Sequence, residues 1–255
     1  MDGLVLSLFP GIGLLDMAFE EEGFCVVRGP DLLWGGDVKA FEPPVGKFDG
    51  IIGGPPCQLF SRFRFINPNV GVHGNLIPEF ERVVCAAQPA WFVMENVEDA
   101  PEPLIEGYIV RSEFLNNRWL GEEQNRLRRF SFGNRTGVKL YIETVALESP
   151  RYERAVTSAH ETVPVKIGGN DKVKKSWTPP TVTGGHGASF SHERGNMGIE
   201  RMCELQGLPE GFLSDAPFTA HGKRKVIGNG VPLAMGRAVA KAVKASLTSG
   251  QGCEQ

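Results

Sequence analysis

Short apolar runs alternate with amphipathic segments through the first hundred residues of the chain. The apolar runs are typical of strands buried on both faces of a parallel sheet, and the segments between them carry apolar residues at helical spacing. The predicted strands cover residues 4–9, 24–27, 48–52 and 90–94. The predicted helices cover residues 14–22, 77–87, 199–205 and 233–247. This alternation predicts an α/β fold with a doubly wound sheet.

The pattern changes near residue 145. Residues 149–198 are rich in Gly, Pro, Thr, Ser, Lys and His, show little helical periodicity, and carry three more basic than acidic side chains. We interpret this segment as a small inserted lobe, with a long solvated loop region as the alternative. The predicted organisation is a first domain over 1–148, the lobe over 149–198, and a C-terminal segment over 199–255 that returns to the first domain.

Composition and charge fit an ordinary globular protein. The 255 residues are 41% hydrophobic and 22% charged, which excludes a disordered tail, a collagen-like repeat and a disulfide-rich miniprotein. The formal net charge of −3 argues against a protein coated with positive charge for non-specific nucleic-acid binding. A local basic face is still compatible with that total, because net charge averages over the whole surface.

Cysteine spacing and the lengths of the apolar runs argue against metal-binding, disulfide-rich and membrane-spanning proteins. The five cysteines are odd in number, far apart and never in CxxC spacing, so neither a zinc site nor a disulfide framework is expected, and a reducing compartment fits best. No apolar run is long enough for a membrane span. The first nine residues lack the basic region of a signal peptide, and we interpret them as a strand.

Glycines follow the first predicted strand in the segment Phe9-Pro10-Gly11-Ile12-Gly13. Glycine at such a turn lets the backbone approach a ligand closely, and the N-terminus of the following helix favours anionic groups. The third glycine of a dinucleotide fingerprint is absent because Leu14-Leu15-Asp16 follows, and the chain has no P-loop sequence. A tight turn without a ligand is the alternative.

A cysteine follows another predicted strand in Gly53-Gly54-Pro55-Pro56-Cys57-Gln58. Ligand sites of α/β sheets lie at the carboxyl ends of the strands, and the two prolines fix the backbone just before the thiol. Cys57 is therefore a candidate nucleophile, provided that its surroundings favour the thiolate or a base assists. A lone cysteine is more often a small buried side chain, but the flanking Gly and Pro residues offer little core for it to join.

Charged side chains occur in two further motifs. Glu95-Asn96-Val97 comes directly after the strand predicted over 90–94, where a carboxylate can act as a general acid or hydrogen-bond donor; a solvated helix cap is the alternative. In the segment 124–129, strand alternation places Arg126 and Arg128 on one face, where two guanidinium groups suit an anion or a base carbonyl. A charged edge strand is the alternative there.

The order of these motifs resembles that of the DNA (cytosine-5) methyltransferase family, and the compact size and short segment 149–198 favour a phage or prophage type. Three more segments match that order, which extends across nearly the whole chain: Gly36-Asp37-Val38, Leu205-Gln206-Gly207-Leu208-Pro209 and Gly228-Asn229-Gly230-Val231-Pro232. Each motif is weak alone, but together they are specific. The chain departs from the family pattern at Leu14, which stands where a glycine is frequent, and in its short segment 149–198, which takes the place of the target-recognition region.

The resemblance implies a Rossmann-like methyltransferase sheet that binds S-adenosylmethionine, with no metal. Phe9 would stack on the adenine, Asp37 would lie near its amino group, and Asp31 is the candidate for binding the ribose. Asn229 would close the methionine end. The cofactor-binding residues that the resemblance implies are Phe9, Gly11, Ile12, Gly13, Leu14, Asp31, Asp37, Val38, Pro56, Asn229 and Gly230.

The resemblance also implies catalysis on a cytosine that is flipped out of duplex DNA. Cys57 would attack C6, and Glu95 would bind N3 and the exocyclic amine. Arg128, supported by Arg126, would bind O2 and orient Glu95. The loop 59–75 would close on DNA. The implied DNA-binding residues are Gln58, Ser61, Arg62, Arg64 and Gln124, of which the two arginines would contact phosphates.

Three alternatives to a DNA methyltransferase are kept open. One is an RNA cytosine-5 methyltransferase on the same scaffold, although the Cys-Phe-Thr signature of tRNA-directed relatives is absent. A second is a catalytically inactive DNA-binding relative, and a third, more remote, is a nicotinamide-dependent oxidoreductase with a reactive cysteine. For the DNA enzyme we expect a monomer in a bacterial or phage-infected cytoplasm, double-stranded DNA as its partner, and a restriction endonuclease as a candidate partner, with no membrane.

Overall fold

The computed structural model of the chain describes residues 3–56, 74–145, 160–167, 170–177 and 198–250. It divides into two compact units. Unit 1 comprises Met1–Leu115, Leu127–Glu143 and Gly230–Gln255. Unit 2 comprises Asn116–Arg126 and Thr144–Asn229. The part of the chain assigned to unit 2 is therefore larger than the lobe predicted over 149–198, because packing adds a segment before it and two helices after it.

A six-stranded sheet of order β2-β1-β3-β4-β6-β5 forms the centre of unit 1. Its strands are β1 Leu4–Leu8, β2 Cys25–Arg28, β3 Gly50–Gly53, β4 Trp91–Asn96, β5 Ile109–Asn116 and β6 Leu127–Asn134. The first four strands are parallel to one another, and β6 runs antiparallel to β4.

Helices cover both faces of this sheet, so the predicted α/β class with a doubly wound sheet is confirmed. The five described helices are α1 Leu14–Glu21, α2 Ile77–Ala87, α3 Ile199–Leu205, α4 Ala220–Asn229 and α5 Leu233–Gly250. Alternation along β4 sends Trp91 and Phe92 to opposite faces. On one face, Phe19 of α1 stacks against Trp91 with 6.2 Å between ring centroids. On the other, Phe80 of α2 meets Phe92 edge-on at 5.8 Å.

Two glycines in neighbouring strands make room for these rings. A Cβ added to Gly50 of β3 would lie 2.2 Å from the indole of Trp91, and one added to Gly133 of β6 would lie 2.1 Å from the ring of Phe92. The rings of β4 therefore lie flat across their neighbours, which only glycine permits. This packing fixes β4, the strand that carries Glu95.

Unit 2 contains α3, α4 and a hairpin in which β7 (His160–Ile167) pairs antiparallel with β8 (Asn170–Trp177). A buried polar network joins the segment 116–126 to the two helices. Gln124 Nε2 donates to Leu205 O at 2.8 Å, and Arg126 Nη2 donates to Gly228 O at 3.2 Å. These buried hydrogen bonds hold the segment inside the unit.

The predicted elements differ from the structure mainly at their ends. The helices predicted over 77–87 and 199–205 are confirmed residue for residue, whereas the strand predicted over 90–94 continues to Asn96. The sequence did not indicate β5 or α4. Among the described helices, none has the length and apolar character needed to cross a membrane.

Candidate functional site

The carboxyl ends of β1 to β4 share one edge of the sheet in unit 1, because these four strands are parallel. The loop 9–13 follows β1, the segment 29–37 follows β2, and the segment 54–56 follows β3. The last residues of β4, Glu95 and Asn96, lie at the same edge. Most of the described side chains that the sequence singled out are therefore gathered at one place.

The loop after β1 has a left-handed backbone at three positions. Phe9 has φ 56°, Gly11 has φ 57° and Gly13 has φ 81°. Glycine adopts such angles freely, whereas Phe9 is held there and packs against the apolar core. Helix α1 then starts at Leu14, and no side chain caps its N-terminus. Its first N–H groups can therefore serve a ligand.

Both backbone polar groups of Gly11 are held by the segment after β2. Asp31 Oδ2 accepts from Gly11 N at 2.8 Å, and Trp34 Nε1 donates to Gly11 O at 2.7 Å. The other oxygen of Asp31, Oδ1, accepts from Leu33 N at 2.7 Å. The structure thus places Asp31 beside the glycine loop. Its carboxylate still has lone pairs for a ligand hydroxyl, since two oxygens offer about four acceptor sites.

Open space surrounds the centre of this loop, since a Cβ added to Gly11 would meet nothing within 4 Å. The predicted residues Asp37 and Val38 lie farther along the same edge. Asp37 caps the 3₁₀ turn Val38–Ala40, with its Oδ1 accepting from Lys39 N at 3.0 Å. Val38 is buried in the core, whereas Asp37 is exposed. Buried Val38 therefore fixes the turn to the core, and the turn exposes the carboxylate of Asp37 to solvent.

The segment after β3 is fitted closely against the end of β4. A Cβ added to Gly53 would lie 2.7 Å from Leu8 O, and one added to Gly54 would lie 3.1 Å from Glu95 Oε2. Asn96 Nδ2 donates to Pro55 O at 3.3 Å. These contacts bring Pro56, the last described residue before Cys57, to the same edge as Glu95.

Glu95 and Arg128 form the ion pair of this site. Arg128 Nε lies 3.0 Å from Glu95 Oε1, and the two side chains are only 16% and 11% exposed, respectively. A second nitrogen of Arg128, Nη1, donates to Leu127 O at 2.7 Å. The guanidinium therefore holds one carboxylate oxygen in a fixed orientation. The other oxygen, Oε2, lies toward Gly54.

Two expectations about these charged motifs were wrong in detail. Glu95 and Asn96 lie within β4 rather than beyond it. Arg126 and Arg128 do not share a strand face, because β6 begins at Leu127 and Arg126 lies ahead of it. The two guanidinium groups have different partners: Gly228 O for Arg126 and Glu95 for Arg128. Only Arg128 is therefore paired with the candidate catalytic carboxylate.

The remaining predicted residues are distributed as follows. Gln124 is fully buried in unit 2, so its amide faces the interior and its predicted DNA contact gains no support. Asn229 ends α4 in unit 2, and Gly230 is the first residue of the next unit 1 segment. Five predicted residues lie outside the described residues: Cys57, Gln58, Ser61, Arg62 and Arg64.

Sequence reasoning assigned no role to Asp16, a buried carboxylate behind the glycine loop. Ser7 Oγ lies 2.5 Å from Asp16 Oδ1, and Arg28 Nε lies 3.0 Å from Asp16 Oδ2. Burial raises the pKa of this carboxyl group, while the Ser7 hydrogen bond and the charge of Arg28 oppose the rise. The guanidinium of Arg28 also lies against Gly13, where a Cβ would approach its Nη2 to 2.7 Å. Asp16 thus connects β1, α1 and β2 directly beneath the loop.

Parts of the chain are similar to known DNA methyltransferases. The model of the family described as C-5 cytosine-specific DNA methylase matches residues 36–103, which include the edge segments from Asp37 to Asn96. The type II methyltransferase M.AquIA of Picosynechococcus sp. is 30% identical over 187 residues, which cover 54% of this chain and 74% of the relative. M.HgiDI of Herpetosiphon aurantiacus is 31% identical over 163 residues, but the chain spans only 52% of its length.

Other likenesses extend over nearly the whole chain. The type II methyltransferase M.NgoPII of Neisseria gonorrhoeae is 24% identical over 333 aligned positions, which cover 95% of this chain and 96% of the relative. The crystal structure of the S. pombe Dnmt2 methyltransferase superimposes with a TM-score of 0.62 at 15% identity and covers 97% of this chain and 99% of that one. The structural likeness concerns the fold.

Proposed function

The chain belongs to the C-5 cytosine-specific DNA methylase family, and we propose on this basis that it methylates C5 of cytosine in double-stranded DNA, with S-adenosylmethionine as the donor. The observation that carries the proposal is the buried pair of Glu95 and Arg128. It lies at the same sheet edge as the Pro55-Pro56 segment, which leads directly into Cys57. A nucleophile next to an oriented carboxylate suits attack on a pyrimidine ring.

Four features of unit 1 fit an adenosyl cofactor. Open space at Gly11 admits a ligand close to the backbone, and the uncapped start of α1 offers N–H groups to a carboxylate. Asp31, next to Gly11, can accept from ribose hydroxyls, and exposed Asp37 can accept from an exocyclic amine. When bound, S-adenosylmethionine supplies an electrophilic methyl group. Phe9 would stack on the adenine, and Asn229 with Gly230 would close the methionine end.

The protein residues would act on the cytosine as follows. The Cys57 thiolate forms a bond to C6, and the electron pair of the C5–C6 double bond becomes available at C5, which is otherwise too weak a nucleophile. Glu95 binds N3 and the exocyclic amine, and so stabilises the negative charge that develops in the ring. Arg128 orients Glu95 and reaches the O2 side. After C5 has gained the methyl group, loss of its proton restores the double bond and expels Cys57 as the thiolate.

Two segments of the chain would bind the DNA. Arg62 and Arg64, in the segment after the nucleophile, would bind phosphates, with Gln58 and Ser61 beside the flipped base. The basic segment 149–198 would contribute side chains to recognition of the target sequence. Bacterial and phage relatives, among them the orphan methyltransferase M.SPRI of Bacillus phage SPR, support a cytoplasmic site of action.

The decisive experiment compares two cysteine variants. We expect bisulfite sequencing of DNA from cells that express the parent chain to report 5-methylcytosine in a defined sequence context. Cys57→Ser should abolish that signal, because a serine hydroxyl is a much poorer nucleophile than a thiolate at neutral pH. Cys85→Ser, at an exposed position on α2, is the matched control and should methylate like the parent.

Two outcomes would overturn the proposal. Full methylation by Cys57→Ser would contradict the nucleophile assignment, with folding checked by circular dichroism. A parent protein that methylates tRNA but not duplex DNA in parallel assays would replace the DNA substrate with RNA.

A further inference from the structure

Arg82 on α2 makes three polar contacts with the segment that follows Asp37. Its Nη2 donates to Val38 O at 2.8 Å and to Phe41 O at 2.9 Å. Its Nη1 lies 3.3 Å from Glu42 Oε1. The side chain is only one-third exposed, so it crosses from the helix to the turn with little exposure to solvent.

These bonds fix the turn at both of its ends. Val38 O and Phe41 O are the carbonyls that bracket the 3₁₀ turn Val38–Ala40, and Phe41 N also donates to Val38 O at 3.1 Å. One guanidinium nitrogen reaches both carbonyls because it carries two hydrogens. Lysine places its donors around a single point charge and does not provide this planar fork.

The guanidinium is itself oriented from its own helix. Arg82 Nε donates to Glu79 Oε2 at 2.8 Å in an i,i+3 pair. Arg82 therefore links α2 to the turn Val38–Ala40, and Asp37 is the N-cap of that turn. Asp37 uses Oδ1 for that cap, and its Oδ2 makes no hydrogen bond within the described residues.

We propose that Arg82 is a positioning residue that sets the orientation of Asp37 toward the 6-amino group of the cofactor's adenine. The inference rests on the proposed function, since it assumes that an adenosyl group binds at this edge. Arg82 does not touch the ligand. Its contribution is to hold the 38–41 carbonyls so that the free carboxylate oxygen of Asp37 points outward at a fixed angle.

The test uses two ligands that differ along one edge of the base: S-adenosylhomocysteine, with a 6-amino group and an unprotonated N1, and S-inosylhomocysteine, with a 6-carbonyl oxygen and a hydrogen on N1. Titration calorimetry gives both dissociation constants for the parent, Arg82→Met and Arg82→Lys. Glu42→Gln is the matched control, because it removes an exposed ion-pair partner of Arg82 and leaves both carbonyl bonds intact.

We expect the parent to prefer the adenine ligand and Arg82→Met to lose that preference. S-adenosylhomocysteine binding should weaken roughly tenfold, the size of one missing charge-assisted hydrogen bond, while S-inosylhomocysteine binding changes little. Arg82→Lys should retain part of the preference, and Glu42→Gln all of it. Thermal unfolding of each variant identifies any loss of folded protein, and Arg82→Lys remains informative if Arg82→Met does not fold.

Two results would overturn the inference. One is that both Arg82 variants keep the parent's preference for the adenine ligand. The other is that the variants bind both ligands equally more weakly, which would mean that Arg82 only stabilises the fold. A parent that binds both ligands equally well would also overturn it. A parent that binds neither ligand would instead contradict the proposed function, so the two failures are distinguishable.

Discussion

At the scale of single residues, the site depends on a carboxylate that is held by one guanidinium. Glu95 and Arg128 come from antiparallel neighbours β4 and β6, and both are largely buried. Removing the partner of a buried charge is costly, since the remaining charge loses its compensation. The orientation of Glu95 therefore depends on Arg128 more than on any other described side chain.

We expect Arg128→Ala to lower kcat by a factor of about 10²–10³, the usual size for losing one oriented electrostatic group. The dissociation constant of S-adenosylhomocysteine should stay within about twofold, because the cofactor residues lie on other strands. Single-turnover methylation and calorimetry measure the two effects. Arg111→Ala, an exposed arginine on β5, is the control and should change neither. Equal losses in turnover and cofactor affinity would argue against the assigned role.

At the scale of elements, α1 and α5 are packed with almost no space between them. A Cβ on Gly236 of α5 would lie 2.7 Å from the Cβ of Ala18 on α1. Arg237 pairs through two nitrogens with Glu21, and Lys244 Nζ donates to Glu22 O at 2.7 Å. Because α1 begins at the glycine loop, α5 supports the candidate cofactor site from behind.

We expect Gly236→Ala to lower the free energy of unfolding by about 1–3 kcal/mol through overpacking, despite a gain of about 1 kcal/mol in helix propensity. Adding Ala18→Gly should recover part of the loss, since it restores the space on the facing helix. Urea denaturation of the parent, both single variants and the double variant gives the coupling energy. Strictly additive effects would mean that the two helices do not meet as described.

Periodicity predicted the elements of the first hundred residues well, because most of their short apolar runs are buried, as in β1, β3 and β4. It failed where tertiary contacts decide the structure. β5 is half-buried or exposed along nearly all of its length, so its apolar pattern is weak, and α4 has a basic first half with no apolar stripe. Motif order singled out Glu95 and Arg128. The bonds of Arg126 to Gly228 O and of Arg82 to Val38 O join residues far apart in the chain and leave no local signal.

At the scale of the whole molecule, a net charge of −3 must be reconciled with a DNA substrate. Several basic residues of unit 1 are neutralised by partners: Arg237 by Glu21, Lys241 by Glu143 and Lys139 by Glu113. The predicted phosphate-binding residues, Arg62 and Arg64, stand in a segment without acidic residues. A local basic segment, rather than overall charge, would then supply the attraction.

We expect duplex DNA binding by the double variant Arg62→Gln, Arg64→Gln to weaken alike for target and non-target sequences. Its salt dependence should fall by about 0.9 in the logarithmic slope for each phosphate that the variant no longer neutralises. Fluorescence anisotropy across a salt series measures this. Lys47→Gln, an exposed change near the amino end of β3 and so away from the candidate site, is the control. A slope equal to that of the parent would show that neither arginine binds the DNA backbone.

The packing of α5 on α1 also has a consequence for biosynthesis. The residues that join these helices stand 216 positions apart, as in the pair of Glu21 and Arg237. At about 5–20 residues per second, the ribosome needs roughly 10–40 s to supply α5 after α1 has been made. During that interval the part of α1 that packs against α5, around Ala18, has no partner, although Phe19 can already pack on Trp91. This surface is then open to aggregation and to chaperone binding. Helix α1, which follows the candidate cofactor loop, is thus among the first elements to be synthesised and among the last to gain all of its packing contacts.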